Sequence, residues 1–299
     1  MSVLVSDADI ASFERDGVIA IRGAVPEEAL LLLERAIDRH LQGPAALNRL
    51  LFGDAGFFTR PNVWKTDADF FELVQTPIFA EIAARLLRSE RINLLQDQIF
   101  VKRSSTERVF DWHQDLSYSP VAGERMLSLW MACGPVTRET SGVQFLRGSH
   151  RAPLDVSRPS VSPIELLLGR RSKAELAVPE GDIVSFDLSP GDLVAFHGGV
   201  LHRSGPNTSP KVDRKGYALR LVGDGATYAP SSDDGITYHF WDPHLVPGEA
   251  LDGPLFPVLR RDGKRIQHAF TGPKRAELSR VLLTPFKLLR PFRGRGRAR

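Results

Sequence analysis

Two imidazoles and one carboxylate are the residues of this chain best suited to chemistry. His113 and Asp115 stand two positions apart in Phe110-Asp111-Trp112-His113-Gln114-Asp115-Leu116. A second histidine, His202, lies in Phe196-His197-Gly198-Gly199-Val200-Leu201-His202-Arg203-Ser204-Gly205. Two imidazoles and a carboxylate can occupy one face of an octahedral divalent ion and leave three positions for a co-substrate and dioxygen, as in non-haem Fe(II) oxygenases. In an extended strand, residues i and i+2 point to one side with roots about 6.5–7 Å apart, near enough to converge on one ion. A His-x-Asp arises easily by chance in a chain with 8 histidines, so its flanks and the distant third ligand must carry the assignment.

Ligands so far apart in sequence need strands that return to one place. The first third of the chain reads as helical: Asp7 to Glu14, Pro26 to Leu41 and about Asp69 to Leu87, with a short strand at Val18 to Ile21. Pro26 followed by Glu27 and Glu28 suits the positive start of a helix, and Leu30, Leu31, Leu33 and Ile37 recur at helical spacing. From Ile92 the pattern changes to short β-rich runs punctuated by Gly and Pro. These are Ile92 to Lys102, Met126 to Cys133, Gly142 to Leu146, Ile183 to Leu188, Leu193 to His197 and Tyr217 to Val222. Many short strands behind a helical cap predict a sandwich or jelly roll, in which ligands from several strands meet at one barrel mouth. Val156 to Ala177, with Pro159, Pro163 and a helix-like Ile164 to Leu168, reads as an insertion.

At 299 residues, 42% hydrophobic and 25% charged, the composition is that of a folded globular protein. The single cysteine, Cys133, excludes an internal disulfide framework and a thiolate zinc site, and its expected role is that of a small buried apolar residue. No run approaches the length of a membrane span and the first ten residues lack a leader pattern, so a cytoplasmic location is expected. Basic residues gather in Lys287 to Arg299, read as a solvated flexible terminus and not as a nucleic-acid contact. The expected partner is a small-molecule substrate, and no signature of an oligomeric state is legible.

Read in order, Gln96-Asp97-Gln98-Ile99-Phe100-Val101-Lys102, Trp112-His113-Gln114-Asp115, Gly142-Val143-Gln144-Phe145-Leu146-Arg147-Gly148-Ser149-His150-Arg151, Gly191-Asp192-Leu193 and His202-Arg203-Ser204-Gly205-Pro206-Asn207 resemble the phytanoyl-CoA dioxygenase family. Phe13-Glu14-Arg15-Asp16-Gly17-Val18 extends the resemblance, which runs from about Ala11 to Val222. It implies a mainly β protein with a helical N-terminal part, a double-stranded β-helix of jelly-roll, cupin-like form. The expectation is one oxygenase domain with a helical cap at about 1–90, a β-helix core at about 91–225, a C-terminal extension at about 226–285 and a basic tail at about 286–299. It also implies an enzyme using Fe(II), 2-oxoglutarate and O2 to hydroxylate a small organic substrate, with release of succinate and CO2. Desaturation, epoxidation or cyclisation of a natural-product intermediate is the alternative outcome on the same fold, and a non-catalytic jelly-roll binding protein the alternative of another class.

By that resemblance His113, Asp115 and His202 ligate iron, and an arginine on the strand after His202 holds the distal carboxylate of 2-oxoglutarate. A guanidinium presents a planar fork that matches a carboxylate. Arg214 and Arg220 are an even number of positions apart and could share a strand face, but six strand residues span about 20 Å. Only one is expected to reach, and Arg214, nearer the metal, is favoured. Ser204 offers a hydroxyl to the same carboxylate, Trp130 resembles a pocket-lining tryptophan, and Gln98 shares parity with Lys102 facing the barrel mouth. Gln98 is expected to contact the co-substrate, and Lys102 and Gln114 the substrate. His197, which closes an apolar run, is expected to pack behind the metal. An aspartate as third ligand disfavours halogenation, which needs an open position for halide. Where the family often has Asn-Gly, this chain has Ser141-Gly142, and no motif accounts for Thr237-Tyr238-His239-Phe240-Trp241-Asp242-Pro243-His244.

Overall fold

A computed structural model describes residues 4–42, 56–151, 182–230 and 244–271. The expected insertion at 156–177, the basic tail at 287–299 and nearly all of the aromatic segment at 237–244 lie outside the described residues. Four helices stand out: α1 (Asp7–Asp16), α2 (Glu27–Leu41), α3 (Ala68–Val74) and α4 (Pro77–Leu86). The strands are β1 (Val18–Ile21), β2 (Phe57–Pro61), β3 (Ile92–Lys102), β4 (Phe110–His113), β5 (Val121–Ala122), β6 (Met126–Ala132), β7 (Val143–Leu146), β8 (Ile183–Ser185), β9 (Leu193–His197), β10 (His202–Ser204), β11 (Arg214–Val222), β12 (Thr227–Tyr228), β13 (Val258–Arg261) and β14 (Lys264–Arg265).

Local chemistry sets the helix ends. Ser6 caps α1 by accepting from the Asp9 N–H while the Asp9 carboxylate accepts from the Ser6 N–H, a reciprocal capping box. Gly17 ends α1 at φ 75°, and an added Cβ would meet Val200 Cγ2 at 2.3 Å and His150 Nδ1 at 2.4 Å, so both conformation and space demand glycine. The single helix expected from Asp69 to Leu87 is two. Proline at 77 lacks the N–H that a helix interior needs and forces Thr76 into extended backbone at ψ 118°, which breaks the run and starts α4.

The strands form two main antiparallel sheets and a two-stranded β5-β12 ribbon. The larger runs β1-β9-β6-β11-β3-β13-β14 with β2 also on β3, and the smaller runs β4-β10-β7-β8. β3 is long enough for β2 and β13 to share the edge opposite β11. Alternation along each strand then sorts side chains into two layers. Ile99 and Val101, Tyr217 and Leu219, Leu127 and Leu129, and Leu193 and Ala195 pack against the helices in the main core. Trp130, Ala132, Val194, Phe196 and Ala218 face the other way and meet Phe145 of the smaller sheet in a second core between the sheets. This is the double-stranded β-helix, with helices covering one sheet. Among the described residues no helix is long and apolar enough to cross a membrane. Cys133 is buried, as its composition predicts.

One ionisable group sits in the helix-facing core. Asp97 is fully buried and accepts at Oδ2 from the Tyr217 hydroxyl (2.7 Å) and the Trp64 N–H (3.0 Å), while Oδ1 has no hydrogen-bond partner among the described residues. Burial raises its carboxyl to about 7, against the opposing pull of these two donors.

Candidate metal centre

β4 and β10 are hydrogen-bonded neighbours in the smaller sheet, and their register sets His113 directly opposite His202. Asp115 is not on the strand. It opens a 3-10 turn (Asp115–Tyr118), but Gln114 between the two keeps extended backbone (φ −117°, ψ 132°), so the i, i+2 pair still turns to one side. The two rings lie 4.1 Å apart at their centroids, and each Nε2 is 3.9 Å from Asp115 Oδ1. The three ligand atoms lie within 4.8 Å of one another.

Both histidines are prepared as neutral ligands. His113 Nδ1 meets the Asp111 carbonyl at 2.8 Å and His202 Nδ1 meets the Val200 carbonyl at 2.9 Å. A carbonyl can only accept, so Nδ1 carries the hydrogen and the Nε2 lone pair is left for the metal. Burial pushes His113 down to about 3, helped by the nearby His202, and burial likewise lowers His202. Burial would raise Asp115, but the charge and hydrogen bond of Arg220 outweigh it and hold the carboxyl below its usual range. Ser128 donates to Asp115 Oδ2 (2.6 Å) and Arg220 Nη2 to Oδ1 (2.8 Å).

His113 and His202 line a cavity between the sheets. Trp130, Arg214, Ala218 and Arg220 line it from the larger sheet, and Ser204 from β10. Phe57, Phe100, Phe110 and Val143 form its outer wall. Arg203 also borders it, but alternation turns the side chain to the opposite face of the sheet. There it stacks on Trp112 (4.9 Å to the ring) and bonds Gln144 (2.7 Å).

Arg214 and Arg220 share a face, as their spacing predicts, and both line the cavity, but it is Arg220 and not Arg214 that lies against the triad, which corrects the expectation that Arg214 is nearer the metal. β11 crosses the cavity floor lengthwise, which brings its two ends to opposite sides of one site. They differ in what they meet. Arg220 is engaged by Asp115, by Gln96 Oε1 (3.1 Å) and by Gln98 Oε1 (2.9 Å). Arg214 is 2% exposed and rests over the Trp130 ring at 5.3 Å. Its Nε has no hydrogen-bond partner among the described residues, and burial alone lowers its pKa to about 10. A buried guanidinium without a counter-ion among the described residues presents its planar fork to a carboxylate. The donor set therefore fits an iron ion at the triad and a dicarboxylate that reaches Arg214.

Three other expected contacts are placed differently. Gln98 spends its amide on Arg220 and on Thr59 Oγ1 (2.8 Å), behind the cavity wall. Lys102 is fully buried, donating to Ser141 Oγ (3.1 Å) and to the Ser204 and Gly205 carbonyls; it ties the Ser141 turn to β10 and does not line the cavity. Ser141 serves that turn at φ 70° and also donates to the Gly205 carbonyl (2.6 Å). Gln114 donates to the Gly199 carbonyl, which joins the loop before β10 to the end of β4. Each side chain is consumed by a strand or loop that spacing cannot reveal. His197 points to the helix side, beside His150 and Phe13.

Sequence reasoning passed over Ser128 and Gly216. Ser128 shares parity with Trp130 on β6, which was its available signal. Gly216, a glycine inside a strand, marks a close approach: an added Cβ would stand 2.0 Å from Trp130 Cζ2.

The family model described as phytanoyl-CoA dioxygenase (PhyH) matches residues 13–216. The chain belongs to that family. It is an Fe(II)- and 2-oxoglutarate-dependent dioxygenase. An ectoine dioxygenase of Sphingopyxis alaskensis is 25% identical over 228 residues, covering 69% of this chain and 72% of that protein. Among solved structures, the 2-oxoglutarate-dependent carbocyclase SnoK of nogalamycin biosynthesis superposes with a TM-score of 0.67 at 22% identity, covering 85% of this chain and 96% of its own. The epimerase SnoN, solved with Fe3+, alpha-ketoglutarate and nogalamycin RO, gives 0.66 at 20% identity, covering 84% and 97%. At such identities these structures share the fold with this phytanoyl-CoA dioxygenase family member.

Proposed function

We propose that this enzyme hydroxylates an unactivated carbon of a small, largely apolar molecule, with iron held by His113, Asp115 and His202 and 2-oxoglutarate anchored by Arg214. The observation that carries the reading is the buried Arg214 guanidinium, without a counter-ion among the described residues, on the same cavity as the triad. When bound, iron and 2-oxoglutarate supply the oxidising chemistry: dioxygen gives one oxygen atom to succinate and one to product as CO2 leaves. The chain's own residues bind and orient. Trp130 holds the Arg214 fork flat, Ser204 offers a hydroxyl beside it, and Ser128 fixes one carboxylate oxygen so that the other faces the histidines. Phe57, Phe100, Phe110 and Val143 exclude water and present an apolar wall to the substrate.

The same wall favours a second reading, desaturation, epoxidation or cyclisation of a natural-product intermediate, in keeping with the carbocyclase and epimerase neighbours. It differs in which C–H or C=C bond the wall presents and in the bond formed after the oxidation. A non-catalytic binding protein would have no use for two imidazoles held with Nε2 free. The helical part and the β-helix share one continuous core, which supports a single domain, and the lone Cys133 fits a reducing cytoplasm.

Anaerobic titration of Fe(II) and 2-oxoglutarate, read by the visible charge-transfer band of the chelate, tests this. The band is expected in wild type, absent in His113→Ala and weakened by at least about tenfold in affinity in Arg214→Ala, as for loss of a charged buried hydrogen bond. Folded wild-type protein that binds iron without the band, or an Arg214→Ala variant with wild-type 2-oxoglutarate affinity, refutes it.

A further inference from the structure

We propose that Arg220 is a fixed cation of the metal site that makes divalent-metal binding depend on an anionic co-ligand. The inference rests on His113, Asp115 and His202 being the metal site. Arg220 Nη2 donates to Asp115 Oδ1 at 2.8 Å, and Oδ1 is the oxygen that faces both imidazole Nε2 atoms at 3.9 Å. The other carboxylate oxygen is already held by Ser128, so Asp115 does not need Arg220 to be oriented.

Arg220 cannot easily withdraw when a metal arrives. It is buried, and its Nη1 is held from behind by Gln96 and Gln98, the latter braced on Thr59 of β2. The guanidinium therefore stays beside the ion. Without metal, Asp115 and Arg220 cancel and Arg214 leaves the cavity with one positive charge. A divalent ion alone raises this to three in a buried space, where like charges are costly. A dicarboxylate spanning from Arg214 to the metal returns it to one. Metal and anion thus bind cooperatively, and by linkage each raises the affinity of the other equally. Arg220 weakens the metal on its own, so that occupancy of the site comes to depend on the anion, while the metal–anion attraction itself does not pass through Arg220.

The sign of one measurement separates this from a merely supporting role. Mn2+, which does not oxidise in air, is titrated into wild type, Arg220→Gln and Arg220→Lys, with and without acetate at constant ionic strength. Acetate supplies an anion but no keto group to chelate. Arg220→Gln is expected to bind Mn2+ alone about tenfold more tightly than wild type, and Arg220→Lys about as wild type does. Acetate is expected to tighten Mn2+ binding by about threefold or more in wild type and by a similar factor in Arg220→Gln, which starts from the tighter site. A folded Arg220→Gln with unchanged or weaker Mn2+ binding overturns the proposal and leaves the functional reading standing. If that variant does not fold, Arg220→Met is read in the same titration, and Mn2+ binding no tighter than wild type overturns the proposal; no tightening by acetate in wild type overturns it as well. Wild type that binds no Mn2+ overturns both.

Discussion

Gly216→Ala isolates the support of the co-substrate anchor from the metal site. An alanine Cβ would stand 2.0, 2.6 and 2.7 Å from Trp130 Cζ2, Cε2 and Cη2. Carbon atoms rest about 3.5–4.0 Å apart, so the indole must retreat by about 1.5 Å. Trp130 packs with Val194, Phe196 and Ala218 in the core between the sheets, so the space left to it is the cavity it already lines. Overpacking of this kind costs about 1–3 kcal/mol. Gly216 does not occupy a left-handed backbone conformation, so the cost comes from the clash and not from φ. Arg214 rests on that ring at 5.3 Å and moves with it. A misaligned fork forfeits a charged hydrogen bond worth about 1.5–3 kcal/mol, which is about 10- to 100-fold in 2-oxoglutarate affinity. The assay is calorimetric titration of Mn2+-loaded protein with 2-oxoglutarate, with Mn2+ affinity and thermal unfolding as controls. Adding Trp130→Val to Gly216→Ala should make the two substitutions non-additive, because the second removes the atoms the first collides with. A Gly216→Ala protein that binds 2-oxoglutarate within about twofold of wild type refutes the chain from glycine to indole to guanidinium.

Three further outcomes are expected. Ser128→Ala frees Asp115 Oδ2 from its 2.6 Å donor and should weaken Mn2+ binding by about 10- to 100-fold, the usual cost of losing a residue that orients a metal ligand; calorimetry reads it directly. Asp97 has its folded pKa raised to about 7 against about 3.9 unfolded. The folded state therefore holds a proton that the unfolded state has lost, so stability is full below about pH 4 and declines by about 1.4 kcal/mol per unit toward pH 7. Asp97→Asn should flatten that slope in denaturant unfolding at several pH values, and an unchanged slope would remove Asp97 as its source. Gly17→Ala meets both a left-handed φ of 75° and the Val200 and His150 side chains at 2.3 and 2.4 Å, and should lower stability by about 1–3 kcal/mol in the same assay.

Much of the site is written in local spacing. Residue type and the i, i+2 interval select His113 and Asp115, and alternation fixes which faces of β3, β6 and β11 look inward, because the side-chain period of a strand is two. Capping residues and Pro77 set helix ends for equally local reasons, although the apolar stripe of residues 69–87 runs through the proline unbroken. Local spacing does not say which partner fills which donor. Arg214 and Arg220 have the same type, strand and parity. Only the arrival of Gln96 and Gln98 from β3 and Asp115 from the end of β4 neutralises one and leaves the other without a counter-ion. Lys102, Gln98 and Gln114 face inward or lie near the triad in sequence, yet are bonded by loops and strands from elsewhere in the chain. The apolar wall joins Phe57 to Phe100, Phe110 and Val143 from four strands. A sequence thus determines periodicity, caps and candidate ligands, which depend on neighbours along the chain. Charge pairing, cavity shape and the packing of Trp130 on Gly216 depend on burial and on contacts across strands, and only the tertiary structure decides them.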